Sequence, residues 1–179
     1  MNGQAMGAQV VASTIALAGA GDEAAFAQLV ATYHADMARV AFVACGEREL
    51  AEDVVQSAWL IAWRKLGSLR DPDHVRSWLL SVTVNEARQI LRRRHGPVVA
   101  ARVELPGDAR SDPSTGIERL DLRRALAHLS PEERALLAMR YVVELRSDEL
   151  ATAIGTSPST ARTRLCRIVD RLRTELCDD

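Results

Sequence analysis

Lysine is almost missing from this 179-residue chain: Lys65 stands alone, and the other 22 of its 23 basic residues are arginine. Net charge is missing too, since 23 basic side chains meet 24 acidic ones for a formal −1, so the whole molecule exerts no net pull on nucleic acid or an anionic membrane. Aromatics number only seven, which leaves the core to be built mainly from Ala, Leu and Val. The three cysteines (Cys45, Cys166, Cys177) are far apart and form no CxxC pair, which argues against a disulfide framework or a zinc site and fits a reducing compartment. No run approaches the roughly 18 apolar residues of a membrane span, so no membrane insertion is expected. Val10–Ala20 is apolar but has no Lys or Arg before it, a poor signal peptide, and residues 1–21 read as a loosely ordered tail. A hydrophobic fraction of 47% with 26% charged residues excludes wholesale disorder and collagen-like composition.

What is present is helical periodicity. Over residues 22–95 the spacing predicts a helix capped by Asp22 that carries Phe26, Leu29, Val30 and Tyr33. A second runs from about His34 to Ala44 and stops at Cys45-Gly46. A third spans about Arg48–Leu66, and a fourth follows Asp71-Pro72 and ends at His95-Gly96-Pro97. Residues 96–117 hold three of the six prolines and three glycines without a helical period, and read as a flexible linker. Helical pattern then resumes over 118–179. The expected fold class is all-α: two small helical domains on a flexible tether.

Charge is segregated locally. Arg88–Arg102 carries five arginines and no acid, and Pro158–Thr174 carries five more against Asp170 alone. In the third helix, at about 100° per residue, Leu50, Val54, Ala58 and Ile61 form one apolar stripe and Val55, Trp59, Ala62 and Leu66 another. Between them lies a narrow acidic, polar strip of Glu49, Asp53, Gln56, Leu60 and Arg64, with Glu52 beside it. The fourth helix repeats the design with opposite chemistry. Its apolar sides (Val75, Trp78, Leu79, Val82 and Leu80, Val84, Ala87, Leu91) leave an open stripe of Ser77, Ser81, Asn85, Arg88 and Arg92, with Arg93 and Arg94 at its end. Hydroxyls, an amide and guanidiniums on one line suit base edges and phosphates. Trp78 could stack on a base, although its spacing with Val82 favours the core.

The C-terminal part has the spacing of a helix-turn-helix. Ser147-Asp148-Glu149 starts a short helix with Leu150, Ala151 and Ile154, and Gly155 permits the turn. Ser157 caps the next helix, whose buried seam is Ala161, Leu165, Ile168 and Leu172. Its other face presents Ser159, Thr160, Thr163, Cys166 and Arg167, flanked by Arg162, Arg164 and Arg171, as a major-groove recognition helix would. Histidines 34, 74, 95 and 128 show no ligand spacing, and no GxSxG, HExxH or P-loop occurs. No catalytic residue, metal or cofactor is expected, and the chain does not read as an enzyme.

Three strings in order resemble a bacterial sigma factor of the small extracytoplasmic-function type that keeps regions 2 and 4 of the sigma-70 family. Ala51-Glu52-Asp53-Val54-Val55-Gln56 is similar to the helix that docks on the clamp of the largest RNA polymerase subunit. Val75-Arg76-Ser77-Trp78-Leu79 with Asn85 and Arg92-Arg93 is similar to the segment that melts and reads the −10 element. Leu129-Ser130-Pro131-Glu132-Glu133-Arg134, followed by Leu136-Leu137-Ala138-Met139-Arg140-Tyr141, resembles the lead-in to the helix-turn-helix that reads the −35 element. Departures fall at Ser57, Gln89 and Ala161. The resemblance implies a cytoplasmic, dissociable specificity subunit with core RNA polymerase and promoter DNA as partners, and admits an anti-sigma factor. It implies core binding by Glu49, Glu52, Asp53, Gln56 and Leu60. It implies −10 contacts by Ser77, Ser81, Asn85, Arg88, Arg92 and Arg93, and −35 contacts by Ser159, Thr160, Arg162, Thr163, Arg164, Arg167 and Arg171. Domain bounds follow as 1–21 tail, 22–95 region 2, 96–117 linker and 118–179 region 4. Two alternatives stay open: a sigma-like decoy that binds an anti-sigma factor but not DNA, and a helix-turn-helix repressor.

Overall fold

The computed structural model describes residues 2–95 and 114–177, which contain eight α-helices and no strand. They are α1 (Asn2–Gly19), α2 (Glu23–Cys45), α3 (Arg48–Lys65), α4 (Val75–His95), α5 (Ser114–Ala127), α6 (Pro131–Leu137), α7 (Ser147–Ile154) and α8 (Pro158–Cys177). Short 3-10 turns at Leu66–Ser68 and Pro72–His74 join α3 to α4, and a π turn at Ala138–Val142 extends α6.

The all-α expectation holds, with three changes of detail. Residues 2–19, expected as a loose tail, form α1. Ile15 and Ala18 are buried against α2 and the turn after α3, while Val10 and Leu17 face outward. Small residues allow this docking: a Cβ on Gly19 would come within 3.0 Å of the Gly67 Cα, so the two backbones meet where only glycines fit. The helices expected to either side of His34 are one helix. No Gly or Pro interrupts Glu23–Cys45, and its buried face runs on from Leu29 through Met37, Val40, Ala41 and Ala44. The ends of α2 are as expected, with Asp22 Oδ1 accepting from the Ala25 N–H at 2.8 Å and Gly46 left-handed at φ 77°. The linker expected over 96–117 lies, for 96–113, outside the described residues, and α5 begins at Ser114, four residues earlier than the pattern placed it.

Residues 23–95 form a bundle in which α2, α3 and α4 pack pairwise. Leu50, Val54, Val55, Ala58 and Ala62 from α3 meet Leu79, Leu80 and Ala87 from α4 in the shared core. The second half is stapled at its start by a capping box. Ser130 Oγ accepts from the Glu133 N–H at 3.2 Å, while a Glu133 carboxylate oxygen accepts from the Ser130 N–H at 2.9 Å. Its helix-turn-helix forms as predicted. Gly155 is left-handed (φ 67°), Ser157 Oγ caps α8 through the Thr160 N–H at 3.2 Å, and Ala161, Leu165 and Ile168 are buried. The two halves pack on each other: α6 and the π turn lie on α2, α7 lies on α4, and one core cluster runs through both.

Burial pushes the Cys45 thiol up to about 12, so it stays neutral across the physiological range. Cys166 and Cys177 are exposed. A thiol reagent at about pH 8 should therefore modify two cysteines in the native chain and all three in denaturant, as counted by intact mass. Rapid modification of Cys45 in the native chain would contradict this packing.

Candidate nucleic-acid and partner interfaces

The acidic strip of α3 forms as the periodicity predicts. Leu50, Val54 and Ala58 are buried on one side of the helix and Val55 and Ala62 on the other, which leaves Glu49, Glu52, Asp53, Gln56 and Leu60 all exposed. Leu60 is 60% exposed, a large apolar side chain set among carboxylates and an amide. Two grooves between α2 and α3 flank this strip, and sequence reasoning missed them. One, of about 780 Å³, is lined by Phe26, Val30, Trp59, Leu60 and Trp63. The other, of about 530 Å³, is lined by Ala38, Phe42, Arg48, Glu52 and Val55. His34, Gln56 and Trp59 line both. Phe26 holds the aromatic wall edge-on, its ring centroid 5.5 Å from Trp59 and 4.8 Å from Trp63, and the Trp59 indole N–H donates to His34 Nδ1 at 3.3 Å. The signal available in the sequence was Trp63, which the helical angle places within the open strip yet which is too large and apolar for an ordinary solvated position.

The basic stripe of α4 forms in part. Asn85, Arg88, Arg92 and Arg93 are exposed from the middle of the helix to its C-terminal end, and Ser81, one turn earlier, is half-buried. Ser77 does not belong with them: it is 1% exposed. The first turns of α4 are enclosed, with Val75, Leu79 and Leu80 buried as well, because α4 is packed by α2, α3, α6 and α7. The usable stripe is therefore shorter than the pattern implied. Arg88 reaches Asn85 Oδ1 at 3.5 Å, and Arg94 lies 3.7 Å from Glu47. Among the described residues Arg92 and Arg93 have no carboxylate at ion-pair distance. Trp78 is half-buried and packs against the core, as its spacing with Val82 suggested.

On α8, Ser159, Thr160, Arg162, Thr163, Arg164, Arg167 and Arg171 are all exposed. Their hydrogen-bonding capacity differs. Thr160 Oγ1 and Ser159 Oγ lie 2.8 and 3.0 Å from the capping Ser157 Oγ, and the Thr163 hydroxyl donates to the Ser159 carbonyl at 3.0 Å. The hydroxyls are thus partly spent on the helix N-terminus. Arg171 is held by Glu133 Oε1 at 2.6 Å, although it remains half exposed. Arg162, Arg164 and Arg167 have no carboxylate at ion-pair distance among the described residues, which leaves three guanidiniums, with five donors each, presented on one helix. A cation left uncompensated on a surface otherwise rich in ion pairs is what an anionic ligand requires.

A Sigma-70 region 2 family model matches residues 29–96, and a Sigma-70, region 4 model matches 119–172. The RNA polymerase sigma factor SigM of Mycobacterium tuberculosis, an ECF protein, is 33% identical over 155 residues, covering 86% of this chain and 78% of its own. A probable RNA polymerase sigma factor of Xanthomonas campestris, RfaY, is 30% identical over 168 residues, covering 89% of this chain and 42% of its own. The chain thus spans about two fifths of the length of that relative and of M. tuberculosis SigG (41%), each of them a longer protein. Among solved structures, CnrH in complex with the cytosolic domain of CnrY is similar with a TM-score of 0.69 and 25% identity, covering 93% of this chain and 96% of that one. The sigma factor RpoE of Bartonella quintana, solved with the anti-sigma factor NepR, shares the fold at a TM-score of 0.68 and 22% identity. Helix α1 precedes both family matches.

Proposed function

Because this chain belongs to the ECF sigma factors of bacterial RNA polymerase, we propose that it binds core RNA polymerase and directs initiation at promoters whose −35 and −10 elements it reads. The observation that carries this reading is the separation of surface chemistry. An acidic strip flanked by apolar grooves lies on α3, and arginines with no carboxylate at ion-pair distance among the described residues lie on α4 and α8. Glu49, Glu52, Asp53, Gln56 and Leu60 dock on the polymerase, with the Trp59–Trp63 groove extending that contact. Arg162, Arg164 and Arg167 take phosphates and base edges of the −35 duplex, with Ser159, Thr160, Thr163 and Arg171 alongside. Asn85, Ser81, Arg88, Arg92 and Arg93 hold the separated −10 strand, so that a base turned out of the stack is kept from restacking, an exchange of a few kcal/mol.

The chain carries out no chemistry of its own in this reading, and the polymerase supplies the active site. Among the described residues no helix is long and apolar enough to cross a membrane, and we assign its action to the cytoplasm, where the polymerase works. An anti-sigma factor belongs among its partners, by analogy with the solved complex of RpoE with the anti-sigma factor NepR. The exposed arginines weigh against a decoy that has lost DNA, and the strip on α3 weighs against a repressor that has no use for a polymerase.

Purified chain mixed with core polymerase should co-elute with it and yield discrete start sites on fragmented genomic DNA. Failure to co-elute, with duplex binding retained, would leave the repressor. Within that assay Asn85→Ala should cut open-complex formation about tenfold, since one good amide–base pair is worth roughly 1–3 kcal/mol. Binding of the chain to a −35 duplex should stay unchanged. Equal losses in both would show that the α4 stripe does not act on melted DNA.

A further inference from the structure

The aromatic groove between α2 and α3 gathers three of the seven aromatic residues in the chain: Phe26 from α2, and Trp59 and Trp63 from α3. Trp63 is 38% exposed and Leu60, also on its wall, 60% exposed, a concentration of apolar surface that a solvated helix face does not call for. Trp59 and Trp63 stand one helical turn apart and so share a face. Phe26 meets both edge-on, at interplanar angles of 84° and 80°, and the Trp59 indole N–H is tethered to His34. The rings are therefore set before any ligand arrives, and binding does not have to order them.

The two grooves beside α3 differ in charge, and that difference selects a ligand. The smaller one contains Arg39 and Arg48, and the Arg48 guanidinium lies 5.9 Å from the centroid of the Phe42 ring. There the protein supplies its own cation to the ring. No Lys or Arg lines the aromatic groove, where the one carboxylate is Glu23, in the first turn of α2. Glu23 has no cation at ion-pair distance among the described residues. Ring faces attract a cation within about 6 Å of their centroid, indole most strongly. An anion is opposed by Glu23 and by Glu52 and Asp53, one turn before Gln56 on α3. At about 780 Å³ the groove has room for a whole small molecule.

We propose that this groove binds a small organic cation: an ammonium or guanidinium group on an apolar body. The charge sits against the indoles and Glu23, and the body lies along Val30 and Leu60. Leu60 also belongs to the strip assigned to polymerase, so the cation and the polymerase exclude each other. That exclusion rests on the sigma-factor reading, whereas the site itself is measured without polymerase or DNA.

The full chain labelled with ¹⁵N carries three indole N–H groups, those of Trp59, Trp63 and Trp78, and Trp78 lies outside the groove. Benzyltrimethylammonium is the cationic probe, and phenylacetate an anion with a similar apolar body. The cation should move the Trp59 and Trp63 signals along a saturable curve with its midpoint at or below about 1 mM, leaving Trp78 in place. Phenylacetate should bind at least about tenfold more weakly. Glu23→Gln, at an exposed position, should weaken the cation about threefold. Trp63→Ala should weaken it about tenfold, read on the Trp59 signal, with helix content kept by circular dichroism. Absence of a saturable shift would overturn the site, as would equal affinity for phenylacetate or an unaltered affinity in a folded Trp63→Ala chain.

With the probe at about ten times its dissociation constant, apparent affinity for core polymerase should fall about tenfold. Unchanged core binding with the groove filled would overturn the exclusion. Absence of core binding without the probe would instead count against the sigma-factor reading, with the indole signals still deciding the site.

Discussion

Asp53→Arg should abolish co-elution with core RNA polymerase while leaving the fold intact. Asp53 is exposed on the strip between the two buried sides of α3, so arginine meets no packing obstacle. The cost falls on the interface alone. A carboxylate that pairs with a basic partner surface becomes a like charge pressed against it, and disrupting one buried interfacial charge pair already costs about 2–5 kcal/mol. Reversal should weaken binding by at least about two orders of magnitude, read by gel filtration or fluorescence anisotropy. Thermal melting should be unchanged, because the side chain forms no ion pair or hydrogen bond among the described residues. Retained core binding by a folded Asp53→Arg chain would place the polymerase contact elsewhere, and the aromatic groove around Trp63 would be the next surface to alter.

The second large effect is on duplex recognition. Arg162→Ala with Arg167→Ala removes two of the three α8 guanidiniums that have no carboxylate at ion-pair distance among the described residues. At roughly 1–3 kcal/mol for each base-reading contact, the pair should cost about 2–6 kcal/mol in binding to a −35 duplex if the sites add. A salt titration separates the roles. A phosphate contact lowers the salt slope by about 1 and weakens all sequences alike, whereas a base contact leaves the slope and relaxes preference at one position. Arg171→Ala provides the comparison. Its guanidinium is already held by Glu133 at 2.6 Å, so its removal should cost DNA binding less than either of the others. Equal losses from Arg171 and Arg167 would mean that DNA, not Glu133, is the true partner of Arg171.

Most of the helices and nearly all of the exposed site residues were legible in the sequence, because both depend on local periodicity. Two apolar stripes on α3 force the strip between them outward whatever the neighbours are, and the Gly155–Ser157 turn signals are equally local. The errors share one cause. Ser77 reads as open from the angle of its own helix and is buried because α2, α3, α6 and α7 all pack on α4. Residues 2–19 lack an amphipathic pattern strong enough to announce α1, whose docking depends on a close backbone approach some fifty positions away. Arg134 reads as an ordinary charged residue in a Ser-Pro-Glu-Glu-Arg helix start. It is buried and donates to the Ala44 carbonyl ninety residues earlier, and no pattern within one helix encodes that.

The meeting of Gly19 with Gly67 bears on the order in which the protein takes shape during synthesis. Helix α1 leaves the ribosome before the turn it rests on, which emerges about 50 residues later, a delay of some 2.5–10 s at the usual pace of about 5–20 residues per second. Through that interval its apolar residues, Ile15 among them, can meet α2 but not the turn after α3. Helix α1 is therefore made well before its docking is complete, and through that interval it is more open to chaperones and proteases than in the folded chain.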